Sequence, residues 1–221
     1  MTTDLKKTTL WRAFFYCLGV VFLSIGITLN TRTGLGLSCV TSVPYSVSEA
    51  FTIPFSTAVF WYYILCVVIQ VAVKRKKSTW KDLAQFPMSY VFSAVQAWIA
   101  ELLPITFTTV WQSALGLPFA VCFTGFGIAL MVNMELIPNP ADGVPVVVSQ
   151  VIKKDVGLSK NITDTCCVLI ALAVDLLFTG RIISLGVGTV AAMIFNGRAV
   201  ALFDKFFQNK IKTLAGLNTV R

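Results

Sequence analysis

Two polar lips in this chain hold the residues best suited to meet a ligand. The first is Gly34, Gly36, Ser38 and Thr41, with Glu49 at its far end; the second is Asn139, Asp142 and Gly143. A shift of 101 positions lays Ser38 on Asn139, Thr41 on Asp142 and Glu49 on Gln150. Each lip precedes a short apolar stretch containing a proline, Pro44 or Pro145. That pattern predicts a helix start, with Thr41 as N-cap and Pro44 in the first turn. The first N–H groups of a helix have no partner within it, and the positive end of its dipole attracts an anion or a carbonyl oxygen. Arg198 lies inside an otherwise apolar run, where a cation must snorkel to the interface, pair or bind an anion. The expectation is that Thr41, Asp142 and Arg198 line one polar cavity. Thr41 and Asp142 also suit plain capping, which is compatible with lining a site.

Other chemistry is poorly supplied. The chain has no His, which removes the commonest general base and proton relay. Its six cysteines sit in apolar surroundings without metal-ligand spacing and read as packing thiols. No nucleophile–base pair is visible. The reading is therefore no enzyme, no metal and no cofactor.

The elements that must position the lips are membrane spans. Of 221 residues, 56% are hydrophobic and only 13% charged, well below a soluble domain. Uncharged runs at Ala13–Thr31, Ala50–Val73, Leu83–Ala100 and about 112–134, with Ile162–Gly180 interrupted by Asp164 and Asp175 and Ile182–Phe203 carrying Arg198, give six spans of about 20 residues each. The lips are too short and too broken to add two more. With both lips dipping in and returning, 15 of the 18 Lys and Arg residues share one side, which is cytoplasmic by the positive-inside rule. Both termini then face the cytoplasm, in the plasma membrane. The net charge of +8 serves topology and contact with membrane lipid, and a nucleic-acid partner is not indicated. Asp175 is placed near the outer end of its span, where pairing with Arg181 is the simplest expectation.

The 101-residue shift also matches Phe22, Gly26, Ile27 and Leu29 to Phe123, Gly127, Ile128 and Leu130. It matches Val43, Pro44, Val47 and Ser48 to Val144, Pro145, Val148 and Ser149. Three spans per copy is an odd number, so the copies enter from opposite sides. The expected fold is an all-α polytopic membrane protein, a single domain over 1–221. It has six transmembrane helices in two inverted three-helix repeats, 12–104 and 112–207, each with a broken or re-entrant helix. Paired broken segments of this kind point to a substrate site.

The run RTGLGLS followed by VPYSVS, with the closing LGVGTVAAMIFNGRAVALFDKFF, resembles the YczE/YyaS/YitT group of bacterial integral membrane proteins. The resemblance implies a plasma-membrane protein of poorly defined role, often guessed to transport, and supplies no substrate. Two functions follow. One is a secondary transporter or exporter of a small anionic or zwitterionic solute. The other is a non-transporting scaffold or sensor that binds a lipid or a partner helix. Cysteine labelling tests the topology: probes at positions 76, 154 and 210 are expected to react from the cytoplasm and one at 112 from outside. Outward reaction at 76 overturns the six-span arrangement.

Overall fold

The computed structural model describes residues 2–75, 78–154 and 156–217, with side chains from residue 8 onward. Lys76, Lys77 and Arg221, and the side chains of Lys6 and Lys7, lie outside the described residues. Helices are the only regular elements among the described residues, with no strand. Its order is α1 (Thr2–Thr33), α2 (Cys39–Phe51), α3 (Phe55–Lys74), α4 (Trp80–Leu102), α5 (Val110–Asn133), α6 (Pro140–Ile152), α7 (Val156–Val174), a π-helical turn (Asp175–Thr179) and α8 (Val187–Leu214).

Five of these segments are long and apolar enough to cross a membrane: 8–33, 55–74, 110–133, 156–179 and 187–214. The expected third span, α4, has the length but not the apolar composition of the other five. Its buried face is a polar stripe of Asp82, Gln85, Ser89, Ser93 and Gln96 at helical spacing, broken by Phe92. Leu83, Tyr90, Trp98 and Leu102 point outward. Most of the stripe is paired inside: Gln85 and Gln70 exchange amide hydrogen bonds of 3.1 and 3.3 Å, and Gln96 donates to the Thr28 hydroxyl at 2.9 Å, leaving its own buried Oε1 without a partner among the described residues. Such a polar-in, apolar-out arrangement suits a lipid surround, where buried polar groups must be paired within the protein. A capping box starts α4, and there Asp82 also holds Lys74 at 2.6 Å.

Helices α2 and α6 begin and end 101 positions apart, as do the first residues of α3 and α7. Each short helix ends on a left-handed residue, Thr52 (φ 52°) or Lys153 (φ 53°), whose N–H returns to Ser48 or Ser149. At 13 residues, each is about 20 Å long, too short to span.

The centre of the bundle is the crossing of α1 and α5, the most extensive helix pair. Phe22 and Phe123 meet edge to face at 5.5 Å between ring centroids. A Cβ on Gly26 would strike Ala120 and Thr124, and one on Gly127 would strike Gly19 and Leu23. The pairing of 26 with 120–124 and 19–23 with 127 makes the helices antiparallel. Small residues let the backbones approach where apolar burial alone gives no advantage over lipid. Gly127→Val is expected to cost about 1–3 kcal/mol by overpacking, read as a lower unfolding temperature in detergent. An unchanged temperature would show that the crossing is looser than described.

Candidate functional site

The two short helices start differently from the sequence expectation. Their N-caps are Ser38 and Asn139, not Thr41 and Asp142, which sit in the first turn. The helices begin earlier than expected, so Pro44 falls in the second turn. The reason is local. Asn139 Oδ1 accepts from Ala141 N at 3.0 Å, and the Ser38 carbonyl accepts from Thr41 N at 3.0 Å and Ser42 N at 2.9 Å. The Thr41 hydroxyl lies 2.9 Å from the Ser38 hydroxyl.

The unwound segments before these helices are held in two ways. In the first, Leu37 N–H donates to Ser184 O at 2.9 Å and Gly188 N–H donates to Leu35 O at 2.7 Å. Gly36 has φ +99°, and a Cβ there would collide with the Gly186 backbone. Only glycine allows both the angle and the approach. In the second segment the carbonyls are held by side chains. Arg12 donates to Met134 O at 2.8 Å, Tyr16 to Ile137 O at 2.7 Å and Lys81 to Glu135 O at 2.8 Å. Gly34 (φ +64°) and Glu135 (φ +54°), again 101 apart, share the left-handed turn that starts each segment.

Helix directions follow from these contacts. Phe51 at the end of α2 touches Phe178 beyond α7 at 5.1 Å. Cys39 at its start is electrostatically coupled to Lys160 and Asp164 near the start of α7. So α2 runs parallel to α7. Asn139 Nδ2 reaches Tyr63 OH at 3.4 Å, and Gly143 abuts Gln70, whose Nε2 donates to Pro140 O at 2.8 Å. So α6 runs parallel to α3. Each short helix turns back into α3 or α7 through a tight corner, hence α2 and α6 are antiparallel to each other.

Their N-terminal turns converge on one ion pair. Lys160 and Asp164, 3.2 Å apart on α7, interact electrostatically with Cys39 of α2 and with Asp142 of α6. Around them lie Tyr63, Cys66 and Tyr62, the last with its hydroxyl 3.4 Å from the Cys167 sulfur. Asp142 also lines a cavity of about 290 Å³ with Asn139 and Lys81. Gly143 is buried against Gln70. Among the expected site residues, Ser38, Thr41, Asn139, Asp142 and Gly143 thus occupy the first turns of the paired helices. Gly34 is exposed, Gly36 belongs to the backbone clasp, and Glu49 is exposed at the far end of α2. Arg198 is exposed on α8 with its guanidinium 5.5 Å from the Phe195 ring, and the wall of the cavity does not include it.

Sequence reasoning passed over Lys160, Asp164 and the tyrosines of α3. Their signal was present: a Lys and an Asp at i, i+4 opening an apolar run. The apolar run begins at Ile162, whereas α7 starts at Val156 and so carries Lys160 on the helix.

Asp175 corrects a further expectation. It does not pair with Arg181. Its Oδ2 accepts from Ile183 N and Ser184 N, each at 3.0 Å, and from the Ser184 hydroxyl at 2.8 Å. It thereby pins the extended strand of the clasp to the π-helical turn. Asp175→Ala strands these buried donors and is expected to lose about 3 kcal/mol, since each unpaired group costs about 1–3 kcal/mol. Arg198→Ala is expected to stay within about 0.5 kcal/mol. Thermal unfolding of both variants checks the contrast, and equal losses would refute it.

The profile of a family of unknown function, DUF6198, matches residues 10–205. No curated protein and no solved structure matches the chain. The matched residues take in α2 to α7 whole, with most of α1 and α8, and so include the clasp, the paired short helices and the cavity. The chain is a member of the DUF6198 family.

Proposed function

We propose that the chain is a secondary transporter or exporter of a small anionic or zwitterionic solute, with a plasma-membrane location and both termini in the cytoplasm. In this reading six crossing helices form two inverted three-helix repeats, α1 to α4 and α5 to α8, and the solute binds between them. The observation that carries it is the pair of antiparallel short helices whose first turns converge on Lys160 and Asp164. Equivalent residues of the two copies, Phe22 and Phe123, touch at the α1–α5 crossing, as a two-fold axis in the membrane plane would require. The Ser38 and Thr41 hydroxyls at the α2 start suit a carboxylate or phosphate, and the carboxylates of Asp142 and Asp164 suit an ammonium. The presence of both signs favours a zwitterion over a simple anion.

Purified protein in proteoliposomes should take up or release one class of labelled zwitterion down an imposed gradient. Thr41→Val combined with Ser38→Ala should slow that flux about tenfold or more while leaving the folded fraction unchanged, because a transported group loses hydrogen bonds at one helix start. Absence of flux for amino acids, betaines and organic anions alike would overturn the reading. It would favour the alternative, a scaffold or sensor binding a lipid or partner helix. The exposed face of α8, where Gly197 has open space above it, supports that second role.

A further inference from the structure

The cavity beside α6 lies between the start of α4, the second half of α5 and the unwound segment 134–139. Its volume of about 290 Å³ sits at the lower end of ligand sites. Its wall is mainly aliphatic, with Ile128, Met131, Leu136 and Ile137 prominent. The polar groups on it are mostly committed. Asn139 uses its oxygen on Ala141 N and its nitrogen on Tyr63 OH. Lys81 Nζ is bonded to Glu135 O at 2.8 Å, and the half-exposed Glu135 carboxylate lies 3.9 Å from Lys212. Asp142 differs. No described side chain or backbone group donates a hydrogen bond to its carboxylate. Lys160, which acts on it through space, is bonded to Asp164. Asp142 is part-buried at the wall of this cavity, and a ligand cation there would make a charge-assisted hydrogen bond that nothing else in the described chain supplies.

We propose that this cavity binds the ammonium group of a small amphiphilic amine, a soluble primary amine with an alkyl or aromatic body. The ammonium donates to the Asp142 carboxylate, and the body packs on Ile128, Met131, Leu136 and Ile137. Lys212 stands beside Glu135, and Lys81 on the wall is held by the Glu135 carbonyl, so discrimination against an anion of the same shape falls to Asp142. The inference rests on the transport reading only in making this the amine end of the carried solute.

The test uses the full chain in phosphatidylcholine nanodiscs and three ligands of one shape: hexylammonium, hexan-1-ol and hexanoate. Calorimetric titration should find hexylammonium bound about tenfold or more tighter than the alcohol, the difference a charge-assisted bond supplies, and hexanoate weaker than both. Asp142→Asn should bring hexylammonium down to the level of the alcohol. Leu136→Trp, which fills the cavity, should weaken the amine and the alcohol together. Equal binding of amine and alcohol to the unaltered chain overturns the proposal without any variant, as does full amine binding by Asp142→Asn. Loss of hexylammonium binding in phosphatidylethanolamine nanodiscs would assign the cavity to a membrane aminolipid and overturn the soluble-amine assignment. Flux measurements stand apart from this ladder. A flat ladder with solute flux removes the amine site alone, and a clear ladder with no flux removes the transport reading alone.

Discussion

A backbone carbonyl or N–H group inside hydrocarbon must find its partner within the protein, and the unwound segments at 34–38 and 134–139 are where this demand is hardest to meet. Most of the distinctive sequence features answer it. The first segment is met by another backbone, and three glycines make room for that approach: Gly36, Gly186 and Gly188. The second is met by Arg12, Tyr16 and Lys81, side chains that reach in from α1 and α4. Two short helices of equal length, 101 positions apart, are thus preceded by segments held in two unrelated ways. This accounts for the likeness of α2 and α6 in sequence and for the difference between the loops before them.

The same demand shapes α4 and the π-helical turn. Helix α4 turns a row of glutamines and serines inward, where Gln85 and Gln96 bond side chains of α3 and α1 and the serines bond carbonyls of α4 itself. The turn at Asp175–Thr179 places a carboxylate under three donors of the extended stretch beyond it. Without Asp175 the N–H groups of Ile183 and Ser184 would lose their acceptor, and with them the anchorage of the clasp. The start of α2 therefore depends on a residue at the end of α7, more than 130 positions away in sequence.

Much of this was legible in the sequence. Uncharged runs located the long helices, since hydrocarbon tolerates little else. The 101-residue shift located α2 and α6, because a capped helix of fixed length keeps its Val, Pro and Ser positions. The parts that were not legible depend on partners. Ser38 and Asn139 act as caps because of the carbonyl and amide groups they meet, and Thr41 and Asp142 are equally good cap types. Arg198 reads as an intramembrane charge from its position in an apolar run, but the rotation of α8 about its axis decides which way it faces, and that is set by packing on α5. Lys160 reads as a loop cation until the first turn of α7 is seen.

The antiparallel contact between α1 and α5 has a consequence for how the chain is made. The glycine face of α1 leaves the ribosome about 100 residues before the face it fits. At the usual elongation rate of about 5–20 residues per second, it waits some 5–20 seconds. During that interval the first half has its short helix and its long ones but not the surface that holds them together, and Arg12 and Tyr16 have no carbonyls to bind. Biogenesis of the nascent first half would therefore rely on lipid or the insertion machinery to shield that groove until the second half arrives.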